Sequence, residues 1–153
     1  MKYSDDARHN LTESFEGCRL TAYPDPGTGS DPWTIGYGHT GCDVFPGLTW
    51  TQEEADQALS VDIGKFEDAV NNAVSVQLTQ HQFDACVDFT FNVGAHAFEN
   101  STLCRLLNQG DFAGADAEFG RWVNGGGHRL PGLVKRRAAE ANWFVMPDVS
   151  WGG

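Results

Sequence analysis

Apolar positions along the chain change their period twice. From residue 4 to 16 they recur at Ala7, Leu11 and Phe15, the stripe of an amphipathic helix that Ser4 is suited to cap and Gly17 to stop. Residues 19 to 46 lose that period. Short β-prone stretches alternate there with Pro24-Asp25-Pro26-Gly27, Gly29-Ser30-Asp31-Pro32, Gly36 and Gly38, which predicts a small antiparallel sheet or a pair of hairpins. Helical spacing returns at Thr51-Gln52-Glu53-Glu54, a capping box, and continues through Ala55, Ala58, Leu59, Ile63, Phe66, Ala69 and Val70 to about residue 73. A second box, Thr79-Gln80-His81-Gln82, opens a helix through Val93 that carries Phe83, Ala85, Cys86, Val87, Phe89, Phe91 and Val93. Being apolar on nearly every side, it is expected to be a buried central helix. Shorter helices are expected at about 101–108, 111–122 and 131–144, and the tail Val149-Ser150-Trp151-Gly152-Gly153 is expected to be loosely held.

With 153 residues, 41% hydrophobic and 20% charged, the chain suits one compact domain with a real core rather than two domains or a disordered segment. No stretch has the length of a transmembrane span, and Met1-Lys2-Tyr3-Ser4-Asp5-Asp6-Ala7-Arg8 lacks the apolar run of a secretory signal, so a cytoplasmic location is expected. Cys18, Cys42, Cys86 and Cys104 form no CxxC pair and no zinc-type spacing. Idle thiols are the expectation, with disulfide formation after release as the alternative. Neither a metal nor an organic cofactor is expected.

The candidate chemistry lies around the predicted hairpins. Glu16 stands nine residues before Asp25 and Asp25 nine before Thr34, giving two carboxyls and a hydroxyl around a Gly- and Pro-rich segment. Acid/base cleavage of a glycosidic bond needs such a set: one carboxyl protonates the leaving oxygen while the other, ionised, activates water or attacks the sugar. A helix C-terminus disfavours negative charge, and Glu16 at the end of the first helix is thereby suited to hold a proton.

The string Glu16-Gly17-Cys18-Arg19-Leu20-Thr21-Ala22-Tyr23-Pro24-Asp25, followed by Trp33-Thr34-Ile35-Gly36-Tyr37-Gly38-His39-Thr40, resembles the active-site segment of the phage-type lysozymes, the endolysins of bacteriophages and prophages. The likeness continues through Leu78 to Ala85, Phe91-Asn92-Val93-Gly94, Arg121-Trp122 and Leu130 to Arg137, in the family's order. It implies an α+β, lysozyme-like fold. A hairpin-bearing N-terminal lobe at about 17–50 and a helical C-terminal lobe at about 74–153, joined by helix 4–16, flank a cleft, and the helix at about 51–73 links the lobes. The resemblance further implies hydrolysis, with inversion, of the β-1,4 bond between N-acetylmuramic acid and N-acetylglucosamine. Glu16 is the implied general acid, and Asp25 and Thr34 position the attacking water.

By the same likeness His39 pairs with Asp62 to tie hairpin to helix, and Asn92, Arg121 and Trp122 fall at cleft or lobe contacts. Trp33 and Tyr37 suit either sugar stacking or the core, and the Gly125-Gly126-Gly127-His128 run is expected as a flexible loop at the cleft's edge. The implied partners are bacterial peptidoglycan and, functionally, a holin that permeabilises the membrane, with a monomeric enzyme acting on the wall from the host cytoplasm. No nucleic acid or stable membrane insertion is implied. Two other functions remain open on sequence: a lytic transglycosylase acting on the same bond, and a catalytically silent wall-binding module. A net charge of −11 departs from the basic character common in the family. Five of the ten Lys and Arg residues, Arg121, Arg129, Lys135, Arg136 and Arg137, nevertheless fall in the last 33 positions, suiting either a substrate-facing basic patch or a solvated helix face.

Overall fold

The computed structural model describes residues 1–148, so the tail from Val149 lies outside the described residues. Ser4 caps the first helical segment, its Oγ accepting from Ala7 N at 3.1 Å. That segment is not uniform. It runs as α1 (Asp5–Ala7), a π-helical turn (Arg8–Glu13) and α2 (Ser14–Glu16). One extra residue in a turn rotates everything after it by about 100°. The inward stripe that begins at Ala7 and Leu11 therefore continues through fully buried Thr12 toward Glu16, while Phe15 is only half-buried. Gly17, at φ +65°, then ends the helix in a conformation that L side chains avoid.

Strands β1 (Arg19–Tyr23), β2 (Thr34–Gly36) and β3 (His39–Thr40) form an antiparallel sheet in that order. Arg19 pairs with Gly36 and Tyr23 with Thr34, with an irregularity between the two pairs. Ala22, Ile35 and Val44 make a small core of their own, with Trp33, Leu48 and Trp50 packed on it. The rest is helical, and the architecture is α+β.

Both capping boxes form as the sequence predicts. Thr51 and Glu54 exchange bonds of 3.1 and 3.2 Å at the start of α3 (Gln52–Ala73), and Thr79 and Gln82 do the same, at 3.0 and 3.1 Å, at α4 (Gln80–Val93). Each box satisfies backbone donors that a helix start leaves free, which fixes the boundary. Helix α3 runs from the sheet to the helical core, burying Ala55, Leu59, Ile63, Ala69 and Val70. Helix α4 is buried continuously from Phe83 to Thr90, the central helix that its apolar run predicts. Its interior is nevertheless not apolar throughout, since Asp84 and Asp88 are both buried.

After Gly94 the chain forms α5 (Ala95–Glu99), which the sequence pattern did not predict. Then come α6 (Thr102–Asn108), capped by Ser101, and α7 (Phe112–Glu118), capped by Asp111. A 3-10 turn at Phe119–Arg121 takes the last part of the helix expected to reach residue 122. The glycine run is not a loose loop. It makes a tight turn, with Gly126 and Gly127 at φ +58° and +82°, between β4 (Asn124–Gly125) and β5 (His128–Arg129). Two consecutive positive φ values are what a two-residue hairpin turn requires, and glycine supplies them without strain.

Helix α8 (Pro131–Phe144) has its expected bounds, with proline in the first turn. Its basic run departs from both expected roles. Lys135 is exposed, but Arg136 and Arg137 are 4% and 1% exposed, pointing into the protein. The main core gathers Phe83, Phe89, Phe98, Leu103, Leu107, Phe119 and Phe144 around α4.

Sheet and helices are tied by His39. Its Nδ1 lies 2.7 Å from Asp62 Oδ2 on α3 and its Nε2 lies 3.0 Å from Asp43 Oδ2, and the ring packs near Trp50. Burial of the ring opposes its charge. The hydrogen bonds to Asp62 and Asp43 and their negative charges outweigh burial, and the imidazole is held above its ordinary pKa. A group raised in the folded state stabilises most below its unfolded value, about 6.5, and that contribution disappears as pH rises through the folded value. His39→Ala is therefore expected to lower the melting temperature by about 5 °C at pH 6, with the gap to wild type narrowing toward pH 9. Melting curves of both proteins across that range test this, and a gap that widens with pH would contradict it.

Candidate active site

The π-turn that rotates Glu16 inward also decides what its carboxyl meets. Arg136, two turns from the end of α8, donates from Nη1 to Glu16 Oε1 at 2.6 Å. The other oxygen, Oε2, lies against the turn between β2 and β3. A Cβ placed on Gly38 would stand 2.8 Å from it, so only a glycine there allows the carboxyl this approach. Gly38 is also at φ +79°. Gly36 performs a similar service for the Trp50 ring, which a Cβ would meet at 3.0 Å. The close neighbours of the two glycines are thus a carboxylate and an indole.

Asp25 and Thr34 sit at the other end of the same strand pair. Thr34 faces Tyr23 across the sheet, and Asp25 follows Tyr23 by two residues. Thr28 N donates to Asp25 Oδ2 at 3.1 Å, and Asp25 N donates to Ser30 O at 2.9 Å, so the loop holds this carboxyl by its own backbone. Gly36 and Thr34, the partners of Arg19 and Tyr23, are two residues apart on β2, a separation of roughly 6.6 Å at 3.3 Å per residue. Glu16 precedes Arg19 by three residues and so approaches from one end of this ladder, with Asp25 and Thr34 at the other. Tyr23 links the two ends. Burial pushes its phenol pKa up, the Arg19 guanidinium 4.2 Å from the ring centroid pulls it back, and the charge of Glu16 adds to the upward push. All three predicted residues are half-buried.

Beside Gly38 a cavity of about 230 Å³ is lined by Thr40, Asp62, Lys65, Phe66 and Phe91, between the sheet and the helices. Trp33 belongs to the small sheet core, and Trp122 packs edge-on against Phe89 in the main core, with ring centroids 5.3 Å apart. Tyr37 also touches the main core, and its hydroxyl accepts from Gln52 Nε2 at 3.1 Å. Asn92 is exposed, and Arg121, also exposed, pairs with Glu118 at 3.2 Å. All four cysteines are free thiols. Among the described residues no group of three or more His, Cys, Asp or Glu is placed to hold a metal, and no helix is long and apolar enough to cross a membrane. Sequence reasoning placed Arg136 within a stretch of likeness but not beside Glu16. The available signal was its helical phase: residues 136, 137, 140 and 144 share one face of α8 with the core.

Comparison with known proteins gives the family of the chain. The phage lysozyme family model matches residues 13–140. An endolysin of Bacillus phage PZA is 48% identical over 135 residues, 88% of this chain and 52% of that protein, so the chain spans about half the length of this relative. An endolysin of Acyrthosiphon pisum secondary endosymbiont phage 1 is 44% identical over 88% of this chain and 92% of its own length. Among solved structures, the muramidase domain of SpmX from Asticaccaulis excentricus is 39% identical with a TM-score of 0.86, covering 95% of this chain and 99% of that one. A point mutant of P22 lysozyme is 35% identical with a TM-score of 0.81, covering 95% and 99%. Sequence, family model and fold coincide over nearly the whole described chain: it has the lysozyme-like α+β fold and belongs to the phage lysozyme family.

Proposed function

We propose that this chain is a peptidoglycan hydrolase of the endolysin type that cleaves the β-1,4 bond between N-acetylmuramic acid and N-acetylglucosamine with inversion. The observation that carries the reading is the division of Glu16: one oxygen is held by Arg136 and the other faces the turn after β2, the strand that begins with Thr34. Glu16 donates its proton to the glycosidic oxygen, while Asp25, helped by the Thr34 hydroxyl in orienting it, takes a proton from a water on the opposite face of the sugar. Direct inversion needs carboxyls roughly 6.5 to 9.5 Å apart, to leave room for that water. Placement of the two groups at opposite ends of the β1–β2 ladder supports such a gap. The names of the relatives, endolysins and a muramidase domain, support the substrate class. In this role the protein acts as a monomer on the wall at the end of a phage cycle, reaching it from the host cytoplasm once a holin has opened the membrane.

Turbidity clearing of purified peptidoglycan tests the assignment. In folded protein, Glu16→Gln and Asp25→Asn are each expected to slow it by about 10²- to 10⁴-fold. Retention of wild-type clearing by Glu16→Gln would refute the general acid. Mass spectrometry of the released fragments should find reducing muramic ends, whereas anhydro ends would make the protein a lytic transglycosylase.

Gly38→Ala is expected to reduce kcat by about 10²-fold, because the new methyl displaces the Glu16 carboxyl by a fraction of its own width. A kcat within twofold of wild type in folded Gly38→Ala protein would show that the close approach of Gly38 to Oε2 is incidental.

A further inference from the structure

Behind Glu16 lies a run of buried charge to which the proposed reaction assigns no work. Arg136 turns its Nε and Nη2 edge to Asp88, donating to Oδ2 at 3.0 Å and to Oδ1 at 2.9 Å. Only Nη1 remains for Glu16. Asp88 is 0% exposed and takes a third bond at 2.7 Å from the Thr12 hydroxyl, itself placed inward by the π-turn. Tyr3 Oη stands 2.9 Å behind Thr12 Oγ1. The guanidinium is thus gripped on one edge by a carboxylate that cannot move, and its remaining arm fixes one oxygen of Glu16. The first helix supplies Thr12 and Glu16, α4 supplies Asp88 and α8 supplies Arg136, so three elements must dock before the fork is complete.

We infer that Asp88 is a positioning residue for Glu16, acting through Arg136 to aim the carboxyl. This rests on Glu16 being the general acid. A guanidinium bonded to Glu16 alone would swing with it, whereas one gripped on its other edge by a buried carboxylate fixes the direction from which Nη1 meets Oε1.

The other charged groups around Asp88 come from α4 and α8. Glu140 and Arg137 face it from α8, and Asp84 lies one turn back on α4. Burial alone would push the Asp88 carboxyl up, but its hydrogen bond with Glu140, the Arg136 charge and fork, and the Thr12 bond hold it below the usual range. Glu140 is driven the other way, by burial and then by Asp88 itself, against the pull of Arg137 and Arg136. Asp88 is consequently the ionised member of the two. Glu67 on α3 is turned away, accepting from Tyr3 N at 2.6 Å.

Asp88→Asn keeps the shape and removes the charge. In folded Asp88→Asn the guanidinium loses its fork on one edge, and a crystal structure is expected to show the Glu16 carboxyl displaced from its 2.6 Å bond to Arg136. The kcat should fall by about tenfold or more, with KM for soluble glycan fragments within twofold. A packing role alone would lower the melting temperature and leave both the carboxyl and kcat in place. A Glu16 carboxyl unmoved in the variant would overturn the inference, whatever role Glu16 has. A carboxyl that moves while kcat stays would instead refute Glu16 as the acid and leave the positioning by Asp88 intact. Should Asp88→Asn fail to fold, Thr12→Val removes one bond from Asp88 without changing charge. Its kcat is expected to fall at least threefold at unchanged KM, and an unchanged kcat overturns the inference.

Discussion

A guanidinium buried to 4% exposure is stable only if nearly all its donors find acceptors, and Arg136 meets that condition by bridging Asp88 and Glu16. Removing charges from water costs several kcal/mol each, and a single carboxylate rarely compensates for it. Two carboxylates do, which ties the position of α8 to the first helix on one side and to α4 on the other. The arrangement also constrains Glu16. A carboxyl that must complete the coordination of a buried cation cannot swing freely, and its free oxygen is directed to the one place where Gly38 has no side chain.

Arg137 is buried still more deeply and has a poorer solution. Its Nη2 donates to Glu140 Oε2 at 3.0 Å, but its Nε stands 2.6 Å from Oε1 off the line of a hydrogen bond, and Nη1 has no protein acceptor. The Phe89 ring, 5.0 Å from the guanidinium carbon, supplies part of what is missing through its negative face. A cation over an aromatic ring in the middle of the core links the packing of α4 to that of α8. Hence the charged cluster and the phenylalanine cluster are one structure, with Phe89 also edge-on to Phe119 and Trp122.

What could be read from the sequence was whatever depends on neighbours in sequence. Thr51 with Glu54 and Thr79 with Gln82 fixed two helix starts, since a capping box is a reciprocal bond within four residues. The hairpin segment was legible from its turn residues, and the positions of Glu16, Asp25 and Thr34 followed from motif likeness. The π-turn was not legible, because Arg8 to Glu13 has ordinary helical composition and the wide turn arises from how Thr12 and Glu16 must face Asp88 and Arg136. Arg136 and Arg137 were misjudged, and Asp84 and Asp88 not singled out, for a related reason. Charged residues are solvated by default, and the partners that make the burial of Arg136 tolerable are 48 to 120 positions away. Helix α5 is five residues long, too short to show a period.

Burial of two arginines also changes what the net charge means. Of the five cations near the C-terminus, Arg136 and Arg137 are spent on Glu16, Asp88 and Glu140, and Arg121 is paired with Glu118. Arg129 and Lys135 remain exposed, while ten of the 21 acidic residues are exposed and seven more are half-buried. A surface of that sign repels an anionic polymer at distances up to about 10 Å at ordinary salt. On the proposed reading, encounter with a wall strand therefore depends on short-range contacts rather than on long-range steering. The expected salt response follows from that: added salt screens the repulsion, so wall clearing should quicken between about 10 and 150 mM salt, where a basic lysozyme steered by charge would slow. A monotonic fall in rate over this range would mean that the few exposed cations of the C-terminal segment dominate the approach after all.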